Sequence, residues 1–129
     1  MGEAVIYVRV STADQVDNYS LANQSRSCVD FCTRNGLPIR HVYTEEGESA
    51  KTADRPQLQA LLADCLKDRR GVVTHLIVDR VDRLSRTASD YLQIRALLER
   101  AGVQVRAVQE RFDDSPMGKL IENLMASLA

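Results

Sequence analysis

Ala4-Val5-Ile6-Tyr7-Val8-Arg9-Val10, running directly into Ser11-Thr12, is the stretch on which the fold of this chain turns. It is almost continuously apolar, with Arg9 the exception. A short run of this kind suits a strand buried on both faces, as in a parallel sheet covered by helices. It also carries an arginine and then a serine to the strand's carboxyl end, where open α/β sheets bind their ligands. Ser11 to Tyr19, polar and without periodicity, reads as a loop.

The rest of the chain repeats the alternation. Ser20 is placed to cap a helix with the stripe Leu21, Ser25, Cys28, Val29 and Cys32, stopped by Asn35-Gly36 and Pro38. Ile39 to Tyr43 reads as a second strand, and Glu45 to Asp54 as a mobile loop. Asp54 is placed to cap the next helix, with Pro56 in its first turn and Leu58, Leu61, Leu62, Cys65 and Leu66 inward. Leu76-Ile77-Val78 is a buried strand that leads into the charged segment Asp79 to Arg86. A helix with Tyr91, Ile94, Leu97, Leu98 and Ala101 inward follows and stops at Gly102, and Val103, Val105 and Ala107 alternate in a fourth strand. The expected fold is α/β: a mixed, mostly parallel sheet of four to five strands with helices on both faces. Ser115 and Pro116 then open a long C-terminal helix whose stripe is Met117, Leu120, Ile121, Leu124, Met125 and Leu128. The helix from Met117 to Leu128 is still running at Ala129; it either packs on its own sheet or, at least as readily, meets another subunit, and its abrupt end points to a longer polypeptide.

Length and composition bound what this fold does. A chain of 129 residues, 44% hydrophobic and 27% charged, is one ordinary globular domain. With no Trp and 5% aromatics, base stacking is not a main mode of binding, and the net charge of -1 does not advertise a nucleic-acid partner. The three cysteines, Cys28, Cys32 and Cys65, lie on apolar helical stripes and form no disulfide framework. With His41 and His75 they offer no second ligand pair at metal spacing, so neither metal nor cofactor is expected. There is no signal-peptide pattern and no apolar run of membrane length, so the protein is expected in the cytoplasm.

Two segments carry chemistry. One is Tyr7-Val8-Arg9-Val10-Ser11-Thr12; the other is Asp82-Arg83-Leu84-Ser85-Arg86, preceded by Arg80, again where a strand finishes. Arg83 and Arg86 are three apart, so on a helix both guanidinium groups share a face. Guanidinium is planar, permanently charged and matched to two phosphate oxygens, so arginines converging on a strand-end serine make a phosphate site. A charge run by itself is ordinarily a solvated helix start; its pairing with Arg9 and Ser11 favours the site. A hydrolase would need a histidine base, and His41 and His75 lie in or beside strands. No Gly-rich run ends in Lys-Ser or Lys-Thr, and the loop after the first strand has no glycine, so P-loop and dinucleotide-binding fingerprints are absent.

Tyr7-Val8-Arg9-Val10-Ser11-Thr12-Ala13-Asp14-Gln15 resembles the nucleophile motif of the serine recombinases: the resolvases, invertases and serine integrases. Ser20-Leu21-Ala22-Asn23-Gln24 resembles the family's helix start, with Gln24 at its active-site glutamine. Ser49-Ala50 and Asp54-Arg55-Pro56 resemble the loop that supplies a further arginine, Arg55. Asp82-Arg83-Leu84-Ser85-Arg86 is similar to the Asp-Arg-Leu-x-Arg motif, and Ser115-Pro116-Met117-Gly118 to the start of the interface helix. Ala50 stands where small resolvases commonly have glycine. The added residues between Gln15 and Ser20 make the chain look more like the large serine recombinases, which include phage-type integrases.

The resemblance implies a bacterial or phage-encoded enzyme of site-specific DNA recombination, with residues 1–129 as its catalytic domain and the DNA-binding region outside them. Ser11 would attack a phosphodiester of double-stranded DNA to give a 5′-phosphoserine link and a free 3′-hydroxyl, followed by strand exchange and religation. Arg9, Arg55, Arg83 and Arg86 would neutralise the phosphate oxygens, Asp82 would organise arginines, move a proton or cap the Arg83 helix, and Gln24 would orient phosphate or Ser11. Tyr7 is read as core packing. The chain would dimerise, and form a tetramer in the active synapse, through the helix Met117 to Leu128. The rival from another class is a non-catalytic oligomerisation module with a recombinase-like fold. A phosphate-ester enzyme on a flavodoxin-like sheet would need a phosphate loop or an acidic metal cluster, and the sequence has neither.

Overall fold

The apolar run at the start of the chain forms β1 (Glu3–Val10). The computed structural model describes residues 2–10, 21–46, 55–68, 70–85, 87–109, 120 and 124. In order, β1 is followed by α1 (Leu21–Arg34), β2 (Ile39–Glu46), α2 (Pro56–Lys67), β3 (Val73–Val78), the single turn α3 (Val81–Leu84), α4 (Ala88–Arg100) and β4 (Gln104–Ala107). The strands lie in the order β2-β1-β3-β4. Every pair is parallel, so among the described residues the expected mixed sheet is a four-stranded parallel one.

The alternation of β1 divides the core in two. Ala4, Ile6 and Val8 pack against Cys28 and Cys32 of α1 and Ile77 of β3. Val5 and Tyr7 point the other way, into a larger cluster with Leu58, Leu61 and Cys65 of α2, Leu84 of α3, and Tyr91, Ile94 and Leu98 of α4. Helices therefore cover both faces, which is why β1 tolerates so few polar residues. The buried face of α1 is narrower than its apolar spacing implies: Gln24, Cys28 and Cys32 are buried, while Val29 is exposed. Leu66 and Leu97, read as inward, are also exposed, because they sit round the side of α2 and α4 from the residues that touch the sheet.

Two helix ends follow from glycine. Gly36 and Gly102 take positive φ of 64° and 81°. Leu37 N–H then donates to Cys32 carbonyl at 2.9 Å, and Val103 N–H to Leu98 carbonyl at 2.8 Å, closing each helix in the Schellman pattern.

The boundaries differ from the sequence reading at places that matter for the site. β3 starts at Val73, and β2 continues through Glu45 and Glu46, which had read as loop. Arg55, not Asp54, is the N-cap residue of α2, with Pro56 in the first turn as expected. Arg80, not Asp82, is the N-cap of α3. That turn ends at Leu84, with Ser85 extended at φ −156°; Arg86, and with it the expected shared face with Arg83, lies outside the described residues.

Of the C-terminal helix from Met117 to Leu128, only Leu120 and Leu124 fall among the described residues. Leu124 packs against the larger core cluster and Leu120 is exposed. No described helix is long and apolar enough to cross a membrane.

Candidate active site

β1 outruns β3. Its last pair with β3 is Ile6 with Ile77, whereas it pairs with β2 as far as Val10 with Glu46. Beyond Ile6, the side of β1 that faced β3 needs other partners. Gln24 supplies them from α1: its Oε1 accepts from Arg9 N–H at 3.3 Å, and its Nε2 donates to Arg9 carbonyl at 2.9 Å. A side-chain amide thus replaces a strand, and Gln24 is 1% exposed. It grips the backbone two residues before Ser11.

The Arg9 side chain lies on the face of Val5 and Tyr7 and is 3% exposed. Its Nε donates to the carbonyl of Arg83 at 3.1 Å. Arg55 reaches the same turn from α2, its Nη1 donating to the carbonyl of Leu84 at 2.9 Å. The last carbonyls of a helix have no partners within it. Here two arginines from elsewhere in the chain satisfy consecutive ones. Arg83 itself is buried. The structure therefore brings Arg9, Arg55 and Arg83 together on α3, with Gln24 behind β1. Asp82 lies within α3, its side chain outside the described part. Ser11 and Arg86 lie outside the described residues.

Two carboxylates missed in the sequence hold this arrangement. Glu45 is buried beside Arg9 in the β1–β2 register. It accepts from the Tyr7 hydroxyl and from the N–H groups of Gln57 and Leu58, each at 3.2 Å. It thereby caps α2, the role expected of Asp54, since a carboxylate suits the free N–H groups of a helix start. Burial first, and then the Glu45 carboxylate, push the Tyr7 hydroxyl above the ordinary tyrosine range, against the opposing pull of Arg9 and Arg55. Tyr7 is core, as read, but its hydroxyl is a neutral donor to Glu45. The second carboxylate is Asp90, which takes Arg55 Nη2 at 3.0 Å and Ser85 Oγ at 2.6 Å. Glu45 gave no local capping signal, because it stands in β2, far ahead of the helix it caps; Asp90 gave a first-turn acid after Thr87, whose Oγ1 accepts from Asp90 N–H at 3.1 Å.

Both histidines sit at the other end of the sheet. His75 pairs with Ala4 and His41 with Val5. At a rise of about 3.3 Å per residue, His41 is roughly 13 Å and His75 roughly 16 Å from Arg9 along the strand. Burial and Arg106 push His75 below its usual value, and its ring contacts Thr74 Oγ1. Among the described residues no group of three His, Cys, Asp or Glu is placed to hold a metal ion. Arg9, Arg55 and Arg83 thus meet at the carboxyl ends of the parallel strands, the end where open α/β sheets bind their ligands.

The family model described as "Resolvase, N terminal domain" matches residues 4–129. The transposon Tn917 resolvase of Enterococcus faecalis is 34% identical over 124 residues, which are 95% of this chain and 59% of that protein. A putative DNA recombinase of Bacillus subtilis is 32% identical over 116 residues, 89% of this chain and 22% of that protein. The chain thus spans only part of the length of these relatives. Among solved structures, the N-terminal catalytic domain of TP901-1 integrase superposes with a TM-score of 0.75 and 25% identity, covering 98% of this chain and 92% of that one. A resolvase family site-specific recombinase from Streptococcus pneumoniae also gives 0.75, with 28% identity over 99% of this chain and 86% of that one.

Proposed function

The chain belongs to the resolvase N-terminal domain family, and on that premise we propose that residues 1–129 are the catalytic domain of a serine site-specific DNA recombinase. The observation that carries the reading is the convergence of Arg9, Arg55 and Arg83 on α3, at the strand end where β1 hands the chain to Ser11. In this reading Ser11 Oγ bonds to a backbone phosphorus of double-stranded DNA. The bond from that phosphorus to the 3′ oxygen breaks, the 3′ oxygen takes up a proton, and a 5′-phosphoserine link remains. Attack by a 3′-hydroxyl on that link reverses the step and frees Ser11. The phosphoester is conserved throughout, so religation needs no ATP.

Arg9, Arg83, Arg86 and Arg55 neutralise charge on the phosphate oxygens, an electrostatic role that metals fill in many nucleases. Asp82, next to Arg83 in α3, organises the arginines or moves a proton. Gln24 acts through Arg9: by fixing its backbone it sets the direction in which β1 delivers Ser11. With no histidine at this end of the sheet, the arginine field itself lowers the pKa of the serine hydroxyl, which is a poor nucleophile at its ordinary value. The active assembly is a dimer and then a tetramer formed through the C-terminal helix, in the cytoplasm of a bacterial host.

The test is covalent trapping on a nicked duplex carrying the crossover site, mapped from the ends of recombined DNA, with full-length protein. A denaturation-resistant adduct through a 5′ phosphate is expected, and it is lost in Ser11→Ala. Arg83→Ala slows its formation by about a hundredfold, the cost on the order of 3 kcal/mol of removing one well-placed donor. An adduct that survives Ser11→Ala moves the nucleophile elsewhere. No adduct from protein that binds and assembles on the site supports a non-catalytic oligomerisation module.

A further inference from the structure

Arg55, Ser85 and Asp90 come from three different elements and close one ring. Arg55 is the N-cap residue of α2, Ser85 the C-cap of α3, and Asp90 lies in the first turn of α4. Arg55 Nη1 holds the Leu84 carbonyl at 2.9 Å, and its Nη2 holds Asp90 at 3.0 Å. The same Asp90 oxygen accepts from Ser85 Oγ at 2.6 Å. Thr87 in turn fixes the Asp90 backbone by capping α4.

Two bonds from two different nitrogens define the plane of a guanidinium, where one bond would leave it free to swing. Leu84 and Ser85 directly follow Arg83 and precede Arg86. The carboxylate of Asp90 therefore sets two things together: the plane of Arg55, and the path of the chain between the two arginines of the motif. The Asp90 side chain is 37% exposed and that of Arg55 13%. A partly exposed ion pair of this kind contributes little to stability. Its consequence lies in where it holds charged groups.

We infer that Asp90 is a positioning residue for strand cleavage, acting through Arg55 and Ser85 on the turn that presents Arg83 and leads to Arg86. The inference rests on the recombinase reading above. The reacting groups need placement finer than about 1 Å, and an error of that size costs up to about a hundredfold in rate. Loss of Asp90 thus acts on the chemical step rather than on DNA affinity.

The experiment is single-turnover adduct formation by the full-length protein on the nicked duplex, over a range of DNA concentrations. The parent is compared with Asp90→Ala, Asp90→Asn, Arg55→Ala and the double variant Arg55→Ala/Asp90→Ala. Asp90→Ala is expected to slow the rate constant at saturating DNA by about 10- to 100-fold, with half-saturating DNA unchanged within about threefold. Asp90→Asn keeps an acceptor oxygen and restores much of the rate. In the Arg55→Ala background, adding Asp90→Ala costs clearly less than it does alone, because only the Ser85 arm of the ring is then left to lose. Thermal unfolding of each variant is measured alongside, and Ser85→Ala serves as a gentler probe of the same ring if Asp90→Ala does not fold.

A parental rate in Asp90→Ala, equal slowing in both backgrounds, or a loss confined to half-saturating DNA overturns the inference. If the parent gives no adduct, the recombinase reading fails, and the positioning role falls with it. Nitrogen NMR of the Arg55 guanidinium then still tells the two failures apart: restricted rotation in the parent that is lost in Asp90→Ala shows the ring intact, and only the function misread.

Discussion

Replacing Glu45 by alanine removes one buried carboxylate and orphans three donors. The Tyr7 hydroxyl, on a residue with no exposed surface, loses its acceptor, as do the N–H groups of Gln57 and Leu58 at the start of α2. A buried donor left unsatisfied costs about 1–3 kcal/mol. Loss of a helix N-cap costs about 1 kcal/mol. Together, Glu45→Ala is expected to destabilise the domain by about 2–4 kcal/mol. For a domain between the small and mid-sized classes, that lowers Tm by about 6–15 °C. Tyr7→Phe removes only the hydroxyl and leaves Glu45 its two backbone partners, so it costs about 1 kcal/mol. Because Tyr7→Phe also removes the orphan that Glu45→Ala creates, the double variant loses less than the sum of the two, by about 1 kcal/mol or more. Urea unfolding of the four proteins, followed by circular dichroism, gives all three quantities. A destabilisation under about 0.5 kcal/mol for Glu45→Ala, or strict additivity in the cycle, would refute the capping role and the tyrosine bond together.

Further outcomes follow from the same packing. Gln24→Leu keeps the volume but strips Arg9 N–H and carbonyl of the amide, so stability falls by about 2–4 kcal/mol in chemical denaturation and adduct formation slows; unchanged stability with lost cleavage would place Gln24 on DNA instead of on the strand. Burial pushes the Cys28 thiol up to about 12 and that of Cys65 up to about 11, and it raises Cys32 as well. The unfolded chain releases these protons from about pH 9, while the folded chain keeps them. Stability is therefore intact below pH 9 and is lost as pH rises toward the folded values, by up to about 1.4 kcal/mol per pH unit for each thiol. Urea midpoints at pH 8 and pH 10 check this, and a midpoint that does not fall at pH 10 counts against it.

The strands and helices were legible in the sequence because burial leaves a period. The run from Ala4 to Val10 is apolar on both faces since helices cover both, and Cys28–Cys32, Leu58–Leu61–Cys65 and Ile94–Leu98 repeat at helical spacing because each meets the sheet once per turn. The arginines at the strand ends were legible through the resemblance of their motifs. Periodicity overreached at Val29, Leu66 and Leu97, where an apolar side chain at helical spacing lies beyond the edge of the contact.

What the sequence determined by itself is the order of elements, the sheet class and the family motifs, because each is written in neighbouring residues. The tertiary structure alone decided what the polar groups do with one another. That Gln24 holds the Arg9 backbone, that Arg9 and Arg55 satisfy carbonyls of the same short turn, and that Glu45 caps α2 while Asp90 anchors Arg55 are bonds between residues 12 to 74 positions apart. A polar residue has the same composition whether it faces water or a partner. Only the folding of β1 beyond the end of β3, and of α3 against the start of α2, gives these groups their partners and so gathers scattered charges at one end of the sheet.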